Sequence, residues 1–488
     1  MTLASLVVAG LIGLVAMACL RWSPTGFRQS RLLVASLAVG IGLGLSSMLY
    51  FLWVWLVGAP GAALPLTELG LLILLSGAVL RARGQPGAGL PVRDDVAIAP
   101  PKPLVLALVL CAVCAAIAFV LQSASNPQGG WDAWMTWNMH ARALYRGGDR
   151  GLEVLAGLPA WSHPDYPLLL PGTVARMWTY TGRETQLASV ATAMLFTFAT
   201  VAVLYASVSV LRSRSQGCLA ALVLLSTKFF ILHGASQYAD VPFGFFLLAL
   251  LALLALTQHW PGDRPRLLTL AGLTLGLAAW TKNEGLLLLP TVLIGYGVVM
   301  VRAEGWAAWL RDVRAIALGL VPVLAVVVAF KLRVATGNDL MSDQGFRQTA
   351  ERLLDGSRYL HVLAGLGRGA LEVSLQGALG LLLLAYAVCA GPAAAGPWRL
   401  GGRAAALVLA LMLAGYLAVL LTAPPELLAT NVRSINRLLL QLWPSALFAC
   451  FLSLRTAEEA GLFGPRPNRT EAAPGRADRS FLSLSEAS

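Results

Sequence analysis

Apolar residues in this chain fall in long blocks rather than in alternation. Runs of roughly 16 to 25 residues, nearly free of charge, recur from the first residues to about residue 455, and each has the ~20 residues that a helix needs to cross a ~30 Å hydrocarbon core. A membrane β-barrel would instead show alternating segments of about ten residues. Candidate spans lie at about 1–20, 32–58, 65–80, 103–122, 187–211, 218–233, 241–258, 267–280, 285–302, 315–333, 371–391, 404–423 and 438–455. They predict an all-α polytopic membrane protein of about 13 transmembrane helices. Counting the apolar stretch 166–182 as a further span would invert the charge balance of everything downstream, so it is expected to be a membrane-surface or re-entrant helix.

Composition agrees with this class. A chain of 488 residues with 57% hydrophobic and 12% charged residues and a mean hydropathy of +0.72 is not a soluble domain. Its net charge of +12 is distributed as a topology signal and not as a nucleic-acid footprint, so no nucleic-acid partner is expected. The segments 21–31, 81–102, 212–217, 259–266, 302–314 and 392–403 hold sixteen Lys/Arg, and 59–66, 234–240, 281–284 and 424–437 hold three. The first set is expected to be cytoplasmic. That places the N-terminus outside and the C-terminus inside, with a basic tail, 456–488, expected to be disordered. The first run lacks a basic leader and is expected to be a retained helix. All six cysteines lie in apolar runs, so Cys111-Ala-Val-Cys114 reads as small-residue helix packing rather than a metal or redox pair.

With this topology the polar features gather on the outer face. The loop 123–186 carries Trp131, Asp132, Trp134, Trp137, His140, Arg142, Trp161, His163, Asp165 and Tyr166. Trp131, Trp134, Asn138, Ala141 and Leu144 recur at helical spacing and suggest an amphipathic helix in the interface. A belt of aromatics would explain the tryptophans, but not a carboxylate between two indoles. Asp240, two residues before Pro242, suits the first turn of a helix, where the dipole favours a carboxylate. Lys282 and Glu284 share the turn Thr281-Lys282-Asn283-Glu284, where they could form a plain ion pair. Asn431, Arg433, Asn436 and Arg437 open the last helix from the same side. Lys228, about five residues inside its helix end, is expected to snorkel outward. In the loop 334–370, Phe346, Ala350, Leu353 and Leu354 share one helical face, with Arg347, Glu351, Arg352, Asp355 and Arg358 around the others. This predicts a surface amphipathic helix that could also serve as a lid.

The order of these features resembles the GT-C superfamily of integral-membrane glycosyltransferases, which includes the protein O-mannosyltransferases and bacterial enzymes that add aminoarabinose or other sugars to lipid A. The resemblance is carried by a helix at 103–122, a long outer loop with the early Asp132, the surface segment Tyr166-Pro-Leu-Leu-Leu-Pro171, Tyr238-Ala-Asp-Val-Pro242, and the hairpin ending Thr281-Lys-Asn-Glu-Gly285. It covers about 103–333 well and the C-terminal third loosely. It divides the chain into accessory N-terminal helices (1–102), a GT-C-like catalytic module (103–333), an outer loop with C-terminal helices (334–455) and the tail. Three helices precede the usual start of the module. Asp132 is followed by Ala where many members show paired acidic residues, so the one cofactor left open is a divalent cation.

The resemblance implies a sugar on a polyprenyl phosphate as donor, a glycan, lipid or protein hydroxyl as acceptor and membrane lipids as surroundings, and the Arg-heavy, Ala/Leu/Gly-rich composition fits a bacterial inner membrane with the active face toward the periplasm. It casts Asp132 as general base and Asp240 as the group that orients sugar or acceptor or shares a metal. Lys282 and Arg437, backed by Arg142 and Arg433, would meet the leaving phosphate. Trp131, Trp134, His163, Asp165, Tyr238 and Glu284 would face substrate, and transfer would invert the anomeric centre. The alternative is a transporter or flippase, which would place ionisable groups near mid-membrane and show inverted repeats.

Overall fold

A computed structural model describes residues 1–20, 28–82, 99–335, 346–374, 379–394, 396, 398–424, 428, 432 and 434–462. Apart from one isolated bridge between Pro392 and Leu454, its regular structure is helical. Ten helices among the described residues are long and apolar enough to cross a membrane, or eleven if a bent pair counts as one span. The chain is a multi-pass, all-α membrane protein.

The helices in order are α1 (Thr2–Cys19), α2 (Arg28–Leu56), α3 (Ala63–Ala82) and α4 (Lys102–Ser125), then the short α5 (Asn138–Arg146), α6 (Gly151–Ala156) and α7 (Leu169–Thr181). There follow α8 (Gln186–Leu211), α9 (Arg214–Ser226), α10 (Lys228–Ala235), α11 (Asp240–His259), α12 (Arg264–Thr281), α13 (Glu284–Glu304) and α14 (Trp306–Arg333). The last are α15 (Phe346–Leu354), α16 (Gly356–Ser374), α17 (Leu379–Ala390), α18 (Trp398–Thr422) and α19 (Ile435–Ser453).

Among the described residues the expected count of about 13 is not reached on length and apolarity, and three of the expected spans account for the difference. The span expected at 267–280 is α12, whose arginines, threonines and glycines lower its hydropathy. Those glycines serve close packing, since a Cβ at Gly272 would strike the carbonyl of Ile316 on α14 and one at Gly319 that of Thr269. The run 371–391 falls on the end of α16 and on α17, with residues 375–378 outside the described set. The span expected at 218–233 is broken at Thr227, where α9 and α10 meet at 62°. Lys228 is the exposed first residue after that break and does not sit inside a continuous helix.

Connections across the bundle fix which helix ends lie together. Asp149 Oδ1 accepts from Ala59 N in the α2–α3 loop at 2.6 Å, Arg176 Nη1 donates to Ser5 O at 3.0 Å, and Gly130 N donates to Ser236 O at 3.0 Å. The start of α1 and the turns before α3, α5 and α11 therefore share one end, called here the site end. At the opposite end Arg212 donates to Leu454 O and pairs with Glu459, both at close range. Thr456–Leu462, expected in the disordered tail, thus continue as a turn packed on α8. Residues 463–488 lie outside the described set.

At the centre is α11, whose apolar window is entirely buried, packed by α8, α12, α18 and α19. The 166–182 segment contains α7, with 13 residues too short to span a bilayer, and buried from Leu169 to Trp178. It wedges between α1, α2, α5 and α8. The expected amphipathic helix of the first loop is interrupted by a π-helical turn, Ala133–Trp137. This widened turn retards the helical phase. As a result Trp131 and Trp134 are exposed whereas Asn138, Ala141 and Leu144 are buried, instead of all five sharing a face.

Candidate active site

Asp240 is the first residue of α11 and its side chain is 0% exposed. A buried carboxylate needs partners, and four side chains supply them. Lys282 Nζ lies 2.9 Å from Oδ1, and Gln441 Nε2 donates to the same oxygen at 2.7 Å. Arg437 Nε donates to Oδ2 at 3.0 Å and His233 Nε2 lies 2.9 Å from it. The residues come from α10, the α12–α13 turn and two turns of α19. Arg437 and Gln441 are four apart and so share one helical face. Tyr416 on α18 donates to Gln441 Oε1 at 2.7 Å, which aims the amide nitrogen at Asp240.

Arg437 also reaches the other predicted acid. Its Nη2 lies 2.7 Å from Asp132 Oδ2, and its guanidinium sits over the Tyr238 ring at 4.7 Å. Gly129 and Gly130 allow this approach. Gly129 has φ +78°, and any side chain at Gly130 would run into Tyr238 Oη. Asp132 is 31% exposed, so of the two aspartates it is the one a substrate can reach. Glu284 completes the cluster, its Oε1 2.7 Å from Lys282 Nζ. Burial alone would pull the Lys282 pKa down, but the carboxylates of Asp240 and Glu284 outweigh it and hold the ammonium above the ordinary lysine range. Burial raises the Tyr238 hydroxyl, and the Asp132 and Asp240 charges raise it further.

A second polar group adjoins the first. Asp165 Oδ2 accepts from Asn283 Nδ2 at 2.8 Å, and Lys331 Nζ donates to Asp165 O at 2.5 Å and to Asn283 Oδ1 at 2.7 Å. His163, in a left-handed conformation with φ 54°, stacks on Tyr166 at 4.8 Å, and Tyr166 stacks on Trp137 at 5.4 Å. His140 Nε2 lies 2.9 Å from Ser162 O and braces this turn from below.

The structure thus brings together Asp132, Asp240, Lys282, Glu284, Arg437 and Tyr238, with Asp165 tied in through Asn283. Arg142 is elsewhere: it donates to Gln128 Oε1 at 2.9 Å and lies 3.6 Å from Glu184, sharing no partner with Lys282 or Arg437. Trp131 and Trp134 pack edge to face on the exposed side of the π turn. Asn431 and Arg433 lie outside the described residues. The sequence reading missed His233, Gln441 and Tyr416, which sit within apolar runs. Gln441 carried a usable signal, being a lone amide one turn beyond Arg437.

A shared metal does not fit this arrangement, because the Arg437 guanidinium occupies the position between Asp132 and Asp240. Among the described residues no group of three His, Cys, Asp or Glu side chains is placed to hold a metal ion.

The family model for dolichyl-phosphate-mannose-protein mannosyltransferase matches residues 165–331. This stretch runs from Asp165 through Asp240, Lys282 and Glu284 to Lys331, and so covers most of the two polar groups. The match supports the class read from the sequence, a membrane glycosyltransferase of the GT-C superfamily. No curated protein and no solved structure matches the chain.

Proposed function

We propose that this protein transfers a sugar from a polyprenyl-phosphate donor to a hydroxyl of an envelope glycan, lipid or protein, on the periplasmic side of a bacterial inner membrane. The carrying observation is that Arg437 bridges an accessible aspartate, Asp132, to a buried one, Asp240, which is saturated by donors. The two acids are therefore not equivalent. Asp132, with one cation on it and open to solvent, acts as general base and takes the acceptor's proton as its oxygen forms the bond to the anomeric carbon. Asp240 holds Lys282 and Arg437 in place. The bond from the anomeric carbon to the phosphate oxygen breaks in the same displacement, with inversion. Its electron pair leaves on the lipid phosphate, beside Lys282 and Arg437.

Charge-assisted contacts stabilise such a developing charge most strongly where they are preorganised and water is excluded. The contacts to Asp132 and Asp240 use Nη2 and Nε of Arg437, and in this reading Nη1 meets a phosphate oxygen. Trp131, Trp134, His163, Asp165, Tyr238 and Glu284 line the approaches for sugar and acceptor. The low Lys/Arg content of the connections 59–66, 234–240, 281–284 and 424–437 supports a periplasmic N-terminus and site and a cytoplasmic C-terminus.

Mass spectrometry of polyprenyl-phosphate-linked sugars and envelope glycans tests this in cells carrying the native gene or Asp132→Asn at matched protein levels. The expected result is accumulation of one lipid-linked sugar and loss of that sugar from one glycan. Unchanged pools with the variant would sink the proposal.

A further inference from the structure

Beside the last turn of α4, at the site end, lies an open cleft of about 480 Å³ whose cation, Arg142, has no role in the reaction above. Its lining includes Ser125, Asn126, Gln128, Trp134 and Arg142. Two arginines here share one carboxylate. Glu184 takes the close bidentate contact from Arg146, at 2.5 and 2.9 Å, and Arg142 Nε stands 3.6 Å away. Among the described residues the two guanidinium charges thus have one carboxylate between them, and Arg142, held mainly by the neutral Gln128 amide, is the less committed of the two.

An apolar path leads up to this cation. Leu110, Val113, Ile117 and Leu121 are all exposed on α4 at helical spacing, and the exposed indole of Trp134 lines the cleft with Trp131 packed on it at 4.8 Å. Indoles mark headgroup depth in a bilayer, and basic pockets at that depth beside apolar helices suit anionic lipid headgroups.

We propose that this cleft binds the phosphate of an anionic glycerophospholipid, with the headgroup against Arg142 and the acyl chains along the exposed stripe of α4. The volume falls in the range of small-molecule sites, and the stripe favours a lipid over a free anion. The proposal does not depend on the transferase reading, because it concerns binding alone.

The cleft also adjoins the site. Its floor, residues 127–129, is tied to the turn carrying Tyr238: Gln237, in a left-handed conformation with φ 62°, donates from Nε2 to Pro127 O at 3.1 Å. Asn138 Nδ2 joins Gln128 O to Gln237 Oε1, each at 3.3 Å. The cleft is therefore linked by hydrogen bonds to Gln237, the residue before Tyr238.

The test is native mass spectrometry of the purified full chain in detergent with phosphatidylcholine and a small fraction of phosphatidylglycerol. The wild type is expected to keep one phosphatidylglycerol under conditions that strip phosphatidylcholine. Arg142→Gln should lower that retained fraction by about fivefold, the size expected for one basic side chain at a lipid surface, and Arg142→Lys should restore most of it. Should Arg142→Gln fail to fold, Trp134→Ala replaces it with the same expected direction. Equal retention by wild type and variants overturns the proposal. So does one-for-one displacement of phosphatidylglycerol by polyprenyl phosphate, which would make the cleft a donor-lipid site, or displacement by inorganic phosphate alone, which would make it a simple anion site.

Discussion

Arg437 Nη2 lies 2.7 Å from Asp132 Oδ2, while the same guanidinium keeps a 3.0 Å contact from Nε to Asp240. One planar fork therefore sets the spacing of both acids. A lysine at this position would carry one ammonium on a flexible stem and would lack the planar fork whose separate nitrogens reach Asp132 and Asp240. Arg437→Lys is expected to lose about 10²-fold in transfer rate, the scale seen when one preorganised donor is removed, with little change in melting temperature. A kinetic assay with lipid-linked sugar and envelope acceptor at matched protein levels checks this. A rate within threefold of wild type would show that the bridge is dispensable.

The burial of Asp240 leads to a stability prediction. Asp240→Asn leaves Lys282 and Arg437 with one carboxylate fewer in a closed site, and breaking a buried pair typically costs roughly 3 to 5 kcal/mol. Removing the stranded cation as well, in Asp240→Asn with Lys282→Met, should recover part of that loss without restoring activity. Thermal melting of the three proteins in detergent decides the matter. If the double variant melts no higher than the single one, Lys282 is not stranded by the first substitution.

How much of this was legible follows from where each residue sits. Asp132, Asp240, Lys282, Glu284 and Arg437 could be found because they interrupt apolar runs at turns, where a charge in a membrane protein is cheap to place and visible to a topology count. His233, Gln441 and Tyr416 lie inside the runs, and only the folded packing of α10, α18 and α19 brings them to Asp240. Ten long helices were readable from run length, whereas the break between α9 and α10 at Thr227 was not. The π turn at Ala133–Trp137 was not, since one widened turn leaves no mark on periodicity yet turns the tryptophans away from Asn138. Glu68 and Arg176 were also passed over, although ionisable residues within apolar segments merit a search for each other.

That last pair explains what the first three helices do for the fold. Glu68 on α3 and Arg176 on α7 are 2% and 0% exposed and form a bidentate contact, 2.8 Å from Nε and 2.5 Å from Nη2. Tyr180 Oη donates to the same carboxylate at 2.5 Å, and Ser47 on α2 donates to Leu168 O at 2.7 Å. These bonds anchor α7, and α7 begins three residues after Tyr166. Glu68→Gln should cost several kcal/mol, on the order of 3 to 5, whereas Glu68→Leu with Arg176→Met, which removes both charges, should melt nearer to wild type. If Glu68→Gln leaves the melting temperature unchanged, the N-terminal helices are held by apolar packing alone.

His140 makes stability depend on pH. Its ring is buried, which lowers its pKa from 6.5 to about 4, the Ser162 carbonyl only partly opposing that shift. Between those two values the folded protein keeps the ring neutral while the unfolded chain takes up a proton. The unfolded state then binds more protons, so stability rises with pH: it is complete above about 6.5 and falls by up to about 1.4 kcal/mol per unit as the pH drops toward 4. The cost should be felt in the turn that His140 braces, where His163 is held in its left-handed conformation. His140→Gln keeps a donor for Ser162 O but does not titrate. Melting curves at pH 7.5, 6 and 5 should therefore fall more steeply for the wild type than for His140→Gln. Parallel profiles would place the acid sensitivity in other groups and leave His140 with a purely packing role.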